Sequence, residues 1–194
     1  MERSSFLQHL TAYAPFDPNE AEMRDRMYRF VSENETCFER SLATGHITAS
    51  CWIVNALPRG ERQRSQALLT WHKRLNRWLQ MGGHIESSDS SLLHAALREA
   101  REESGLTNVR PLAVAIFDLD VHLIPERKNE PEHYHYDVRF LLEADPAEPL
   151  AVSAESRDVA WVPLSGIAAL NTDASMRRMV AKTAGLRSSA DLDA

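Results

Sequence analysis

The sequence predicts an α+β fold, and three observations predict it. Apolar residues recur at helical spacing over the first 40 residues, change to strand-like runs from Gly45, and return to helical spacing near residue 93. Strand signals stand on both sides of that central helix, and helical signals close the chain. Strands are thus grouped instead of alternating one by one with helices, which is the order of an α+β domain and not of a parallel doubly wound sheet.

The elements follow in order. Phe6, Leu10 and Tyr13 fall on one stripe of a short helix that Pro15 ends. Asp17-Pro18-Asn19-Glu20 is a helix start with Asp as N-cap, Pro at the first helical position and Glu at the third. The helix it opens carries Met23, Met27, Phe30 and Val31 on one face. These helices are expected to pack on the main domain, with a lid or a homodimer contact as the functional alternatives. His46–Val54 and Gln66–His72 read as strands joined by a turn at Leu57–Arg62. A basic, aromatic loop follows at Lys73–Trp78, in which Asn76 tolerates a left-handed backbone. Trp78–Met81 reads as a short strand, Val109–Ile124 as a long or bent one, and Tyr134–Leu142 and Val159–Val162 as two more. Ser165–Leu170 and Asp173–Ala184 read as helices. The expected division is a helical extension at 1–44, a main domain at 45–186 and a flexible tail at 187–194.

Composition excludes several classes. The 194 residues are 43% hydrophobic and 26% charged, enough for one domain with a real core. A net charge of −6 argues against a general nucleic-acid surface, which needs a basic stripe. Cys37 and Cys51 have neither disulfide-framework nor zinc-ligand spacing and are expected to be buried thiols. No apolar run is long enough to cross a membrane, and the first residues lack the apolar region of a secretory signal, so a cytoplasmic location is expected.

The chemistry concentrates in Gly82–Leu106. Leu93, Ala96, Leu97 and Ala100 form an apolar stripe, while Glu99, Glu102 and Glu103 share another face at i, i+3, i+4. Gly105 ends the helix as a C′ glycine does. Glu102 and Glu103 therefore sit in the last turn, where the helix dipole disfavours acids, and by position alone they are more strained than Glu99. Three acids gathered there suit a hard divalent cation such as Mg²⁺, which prefers oxygen ligands. Arg98 adjoins them and can fork across carboxylates. Gly82-Gly83 reads as a strand-to-loop turn with permissive backbone.

This segment resembles the Nudix box, G-x5-E-x7-R-E-U-x-E-E-x-G-U with U aliphatic. Arg98-Glu99-Ala100-Arg101-Glu102-Glu103-Ser104-Gly105-Leu106 matches its second half. Gly83 to Asp89 matches the first, with Asp in place of Glu and eight residues, not seven, before Arg98. The resemblance covers roughly Gly45 to Leu170 and implies an α/β/α sandwich around a mixed sheet. It implies a hydrolase that cleaves a diphosphate bond in a nucleoside diphosphate linked to another group. Glu99, Glu102 and Glu103 would hold Mg²⁺, with Mn²⁺ as a substitute, and Arg98 would orient them. Glu155 is the first candidate for a base outside the box, followed by Glu132 and His135. The alternative is a non-catalytic nucleotide-binding or sensor protein on the same fold. A prenyl-diphosphate isomerase would want a supporting cysteine motif, and neither cysteine has one.

Substrate contacts are open at this point. Trp52, Trp71, Trp78, Tyr134 and Tyr136 are candidates to stack a base, with the core as the competing place for each. Lys73, Arg74, Arg77, Arg127, Lys128 and Arg139 are candidates to offset phosphate charge, with solvent as the alternative. Strand alternation puts His133, His135 and Asp137 on one face, which is a pocket wall, a metal-linked cluster or a solvent face.

Overall fold

A computed structural model describes residues 2–57, 64–126 and 131–186. Residues 58–62 of the turn expected at Leu57–Arg62, the cations Arg127 and Lys128, and the tail from residue 187 lie outside the described residues. Helices α1 (Arg3–Ala12) and α2 (Pro18–Glu33) come first. Strands β1 (Gly45–Asn55), β2 (Gln66–His72), β3 (Arg77–Leu79) and β4 (Met81–His84) lead to helix α3 (Leu92–Ser104). Strands β5 (Arg110–Ile124), β6 (His133–Ala144) and β7 (Ser156–Pro163) follow, and α4 (Leu164–Ile167) and α5 (Ala174–Gly185) come last.

β1 is the axis of the mixed sheet. It runs parallel to β6 from Gly45 opposite Tyr134 to Asn55 opposite Ala144. Its other edge is shared: β4 pairs antiparallel with Thr48–Cys51, and β2 with Ile53 and Val54. β5 extends the sheet beyond β6, and β2 also pairs with β3 and β7. The expected sandwich follows from the alternation along β1. Ile47, Ala49, Cys51 and Ile53 face a core shared with α1, α2 and α3, whereas Trp52 and Val54 meet Met176 and Met179 of α5. The N-terminal helices pack as expected, since Phe6, Leu10, Met23, Met27, Phe30 and Val31 belong to the first of those cores.

Several local readings change. Gly82-Gly83 lies inside β4, not in a turn, and the strand expected at Trp78–Met81 is divided between β3 and β4. The basic loop before it is a tight turn, in which Asn76 takes the left-handed conformation at φ 52°. Trp52 is fully buried, its indole N–H donating to Thr183 at 2.8 Å, and Tyr136 stacks on Phe30 at 3.9 Å. Both are core residues. Trp71 and Trp78 meet edge to face at 5.5 Å and stay half-buried. Arg26 lies 5.2 Å over the Tyr134 ring.

Asp17 caps α2 by accepting the Glu20 N–H at 2.7 Å. Glu20 does more than complete that start. It is fully buried, accepts the N–H groups of Phe16 and Leu119, and pairs with Lys182 of α5. Asp118 on β5 accepts from Arg178 at 2.8 and 2.9 Å and from Arg139 at 3.2 Å. Burial alone would raise the Asp118 pKa, but these cations outweigh it and hold the carboxyl below the usual range. Arg139 also reaches Asp137 at 2.8 Å and Asp120 at 3.2 Å. It is a buried counter-ion, and so is withdrawn from the phosphate-binding candidates. Arg139→Met leaves these acids short of a cation and is expected to lower unfolding free energy by about 3–5 kcal/mol. Arg110→Met, which removes a partner of Glu143 whose own side chain is 73% exposed, should cost less than about 1 kcal/mol. Urea denaturation of the two variants checks the contrast, and similar losses would contradict it.

Candidate active site

Helix α3 sets the site. Ser91 caps it by accepting the His94 N–H at 3.1 Å, and Gly105 ends it with φ 74°, its N–H on the Arg101 carbonyl. The buried face is rotated from the expected stripe. Leu92, Ala95, Ala96, Ala100 and Ser104 are buried, while Leu93 and Leu97 are only partly covered. That rotation turns Glu99 and Glu103 toward β4 and leaves Glu102 outward, its side chain 57% exposed.

The approach of α3 to β4 needs glycine. A Cβ on Gly83 would stand 2.6 Å from Glu99 Oε1, and the Gly82 N–H donates to Glu103 Oε1 at 2.8 Å. Arg98 fixes the other side of the cluster. Its Nη1 donates to Glu99 at 2.9 Å and to Glu102 at 3.3 Å; its Nη2 donates to the His84 carbonyl at 2.8 Å and to Asp89 at 2.9 Å. Nε adds a second bond to Asp89 at 3.2 Å. Asp89 is thus within reach of Arg98 across the eight intervening residues. Side chains tilt toward a helix N-terminus, so Arg98 reaches back past Ser91 to the preceding loop. Asp89 also accepts the Glu86 N–H at 2.9 Å and contacts His94 Nδ1 at 3.0 Å. Burial works to raise its pKa, but Arg98 and these donors hold it below the usual carboxylate value.

The two glutamates that face β4 are both shifted upward. Burial is the main cause that lifts the Glu99 pKa, against the Arg98 guanidinium. Glu103 is pushed up to about 8 by burial first, then by Glu99, Glu155 and Glu102, with only the Gly82 N–H opposing. Among the described residues no cationic side chain pairs with Glu103. Burial, not closeness to the helix end, is thus the main cause at both Glu99 and Glu103. Oxygen donors gathered in excess of cations fit a hard divalent ion.

Of the three outside candidates, Glu155 is the one whose charge bears on Glu99 and Glu103. It sits on an exposed turn before β7, held where the Lys73 N–H donates to its carbonyl at 3.1 Å and Lys73 Nζ to the Ala154 carbonyl at 2.7 Å. Glu132 is exposed ahead of β6, and His135 lies in a separate group of histidines. His46 and His84 in that group went unnoticed in the sequence; the His immediately after Gly82-Gly83 was the available signal. Cys51 is fully buried behind the glutamates, with its thiol pKa raised by burial and then by Glu103 and Glu99. It is an inert thiol, which disfavours isomerase chemistry.

A family model described as the NUDIX domain matches residues 46–183. The chain belongs to the NUDIX family. With the family comes the enzyme class, a Nudix hydrolase. Solved Nudix-like structures share the fold at low identity. The Ap4A hydrolase of C. elegans, in a binary complex, is 19% identical with a TM-score of 0.52 over 70% of this chain and 93% of its own. The E. coli dihydroneopterin triphosphate pyrophosphohydrolase is 15% identical, with a TM-score of 0.52 over 71% and 94%. The NUDIX domain of Shewanella oneidensis NrtR complexed with ADP ribose is 16% identical, with a TM-score of 0.50 over 79% and 94%. Among curated proteins no match is found.

The Glu103 shift makes a signed prediction for the metal-free Nudix protein. A carboxyl whose folded pKa of about 8 exceeds its unfolded value of 4.5 binds more protons folded than unfolded between those limits. Its stabilising contribution is complete below pH 4.5 and is lost as pH rises through 8, at up to about 1.4 kcal/mol per pH unit. In EDTA, Glu103→Gln should therefore gain on the parent in Tm between pH 5 and 8. Parallel curves for parent and Glu103→Gln would contradict the burial of this charge.

Proposed function

We propose that this Nudix protein is a Mg²⁺-dependent hydrolase that cleaves a diphosphate bond in a nucleoside diphosphate linked to another group. One observation carries the reading: Glu99 and Glu103 converge beside the glycine strand, with Arg98 aiming the first and no cationic side chain, among the described residues, matching the second. Relatives of the fold named for Ap4A, ADP ribose and a pterin triphosphate support a phosphoanhydride ligand. The working unit is 45–186, with 1–44 as a covering extension.

Glu99, Glu103 and the more exposed Glu102 are the proposed holders of Mg²⁺, with Mn²⁺ able to replace it. When bound, the ion offsets diphosphate charge and acidifies a coordinated water. Arg98 is a positioning residue, since its donors are used on Asp89, Glu99, Glu102 and the His84 carbonyl. Glu155 is the proposed proton acceptor. Water forms a new P–O bond, its proton passes to the Glu155 carboxylate, and the bridging P–O bond breaks with the leaving phosphate taking a proton from solvent. Lys73 holds the turn that presents Glu155 and is the proposed phosphate contact. No described helix is long and apolar enough to cross a membrane, and the ligand is taken to be a small molecule.

Phosphate and nucleotide release from dinucleoside polyphosphates, ADP-ribose and nucleoside triphosphates, with Mg²⁺, Mn²⁺ or Ca²⁺, tests this. Turnover should require Mg²⁺ or Mn²⁺ and fail with Ca²⁺, whose longer, looser coordination misplaces the water. Glu99→Gln and Glu103→Gln should fall to background. Glu155→Gln should lose about 10²–10⁴-fold in kcat at nearly constant KM. Turnover in EDTA, or tight nucleotide binding with no turnover under any metal, would overturn the hydrolase reading.

A further inference from the structure

Five of the eight histidines in the chain meet on one face of the sheet, away from the box glutamates. The register produces the meeting: on β1 and β6 His46 stands opposite His135, on β5 His122 stands opposite His135, and on β4 His84 stands opposite Thr48. The ring centroids of His46, His84 and His135 are 4.8–5.2 Å apart. One ring nitrogen from each lies within 4.8 Å of the other two. Successive strand residues point to opposite faces, so Gly83 turns toward Glu99 while His84 turns the other way.

We propose that His46, His84 and His135 form a transition-metal site, with zinc as the expected ion, distinct from the carboxylate site of the Nudix box. The donor chemistry selects the ion. Imidazole suits Zn²⁺ and its neighbours in the first transition row, whereas Mg²⁺ prefers oxygen. Three histidines with a fourth position for solvent is an established zinc arrangement. The ligands come from three adjacent strands, so their backbone positions are set by the sheet and only side-chain rotation is needed to close on an ion. His133 supplies the outer support that ligating histidines have. Its Nδ1 lies 2.8 Å from the Pro131 carbonyl, which only an N–H can satisfy, so in the neutral ring Nε2 is the acceptor, and it faces His135 Nε2 at 3.3 Å. Asp120, 3.7 Å from His122 Nδ1, places a carboxylate beside the cluster.

The site is coupled to the box through one residue. The His84 carbonyl accepts from Arg98, which in turn orients Glu99. A metal holding the His84 ring would therefore restrain the strand on which the box glutamates rest. This proposal stands without the hydrolase reading, because it concerns other ligands and another ion.

Tag-free protein, stripped with chelator and titrated with ZnCl₂ under a competing zinc indicator, tests it. One Zn²⁺ per chain should bind. His46→Gln and His135→Gln should each weaken zinc by about 10²-fold or more, beyond what loss of an outer partner gives. Glu99→Gln and Glu103→Gln should leave the zinc affinity unchanged, and zinc should raise the Tm of the parent. Cobalt added to the unmutated protein gives a reading that does not depend on whether a variant folds: intense visible absorption of a four-coordinate nitrogen site, displaced by zinc and not by excess Mg²⁺. Weak six-coordinate absorption, no stoichiometric zinc, or zinc lost with the glutamates and kept without the histidines would each overturn the proposal.

Discussion

The guanidinium of Arg98 is the contact on which the site depends. It ties the loop before α3, the helix itself and the backbone of β4 into one piece through Asp89, Glu99 and the His84 carbonyl. Without it, Glu99 would be a partly buried carboxylate with nothing to aim it. The Asp89 bond anchors this arrangement, because an aspartate in that position is short and must be approached by the arginine. The glycine strand does the complementary work, since a Cβ at Gly83 would push the Glu99 carboxylate from its present place.

Two acid groups, one in the sheet and one on α3, show what an ion site looks like from its counter-ions. Around Asp118, Asp120 and Asp137 the chain supplies Arg139, Arg178 and Lys182, and the network closes on itself. Around Glu99, Glu102 and Glu103 the described residues supply Arg98 alone, and Glu103 has a backbone N–H and a pKa of about 8. Burying carboxylates without matching cations is costly in a folded protein, and the first network demonstrates that this chain can match them. The deficit at the box is therefore a property of the site, and it is of the kind a divalent ion removes.

Much of this was legible in the sequence because it is local. Asp17 and Pro18 at a helix start, Gly105 at a helix end and Asn76 in a turn each carry their conformational reason in one residue. The glutamate face was legible from spacing, and the box from its motif. What stayed hidden depends on strand register and on rotation about a helix axis. A small rotation of α3 buries Leu92 and Ala95 in place of Leu93 and Leu97, and it turns Glu99 toward β4 and leaves Glu102 exposed. The parallel pairing of β1 with β6 puts His46 beside His135 across a long stretch of chain, and no periodicity within either strand reveals it. Arg139, a surface cation by composition, becomes a core counter-ion only once β5 is laid beside β6. The role of Asp89 was hidden for a similar reason, since its partner is reached through space and not by residue count.

The most direct test of the central claim is anomalous diffraction from crystals grown with Mn²⁺ and substrate-free protein, recorded above and below the manganese edge. The account predicts an anomalous peak within coordinating distance of carboxylate oxygens of Glu99 and Glu103, with Arg98 still bonded to Asp89 and Glu99. A peak confined to other carboxylates, or none near this pair at saturating Mn²⁺, would contradict it.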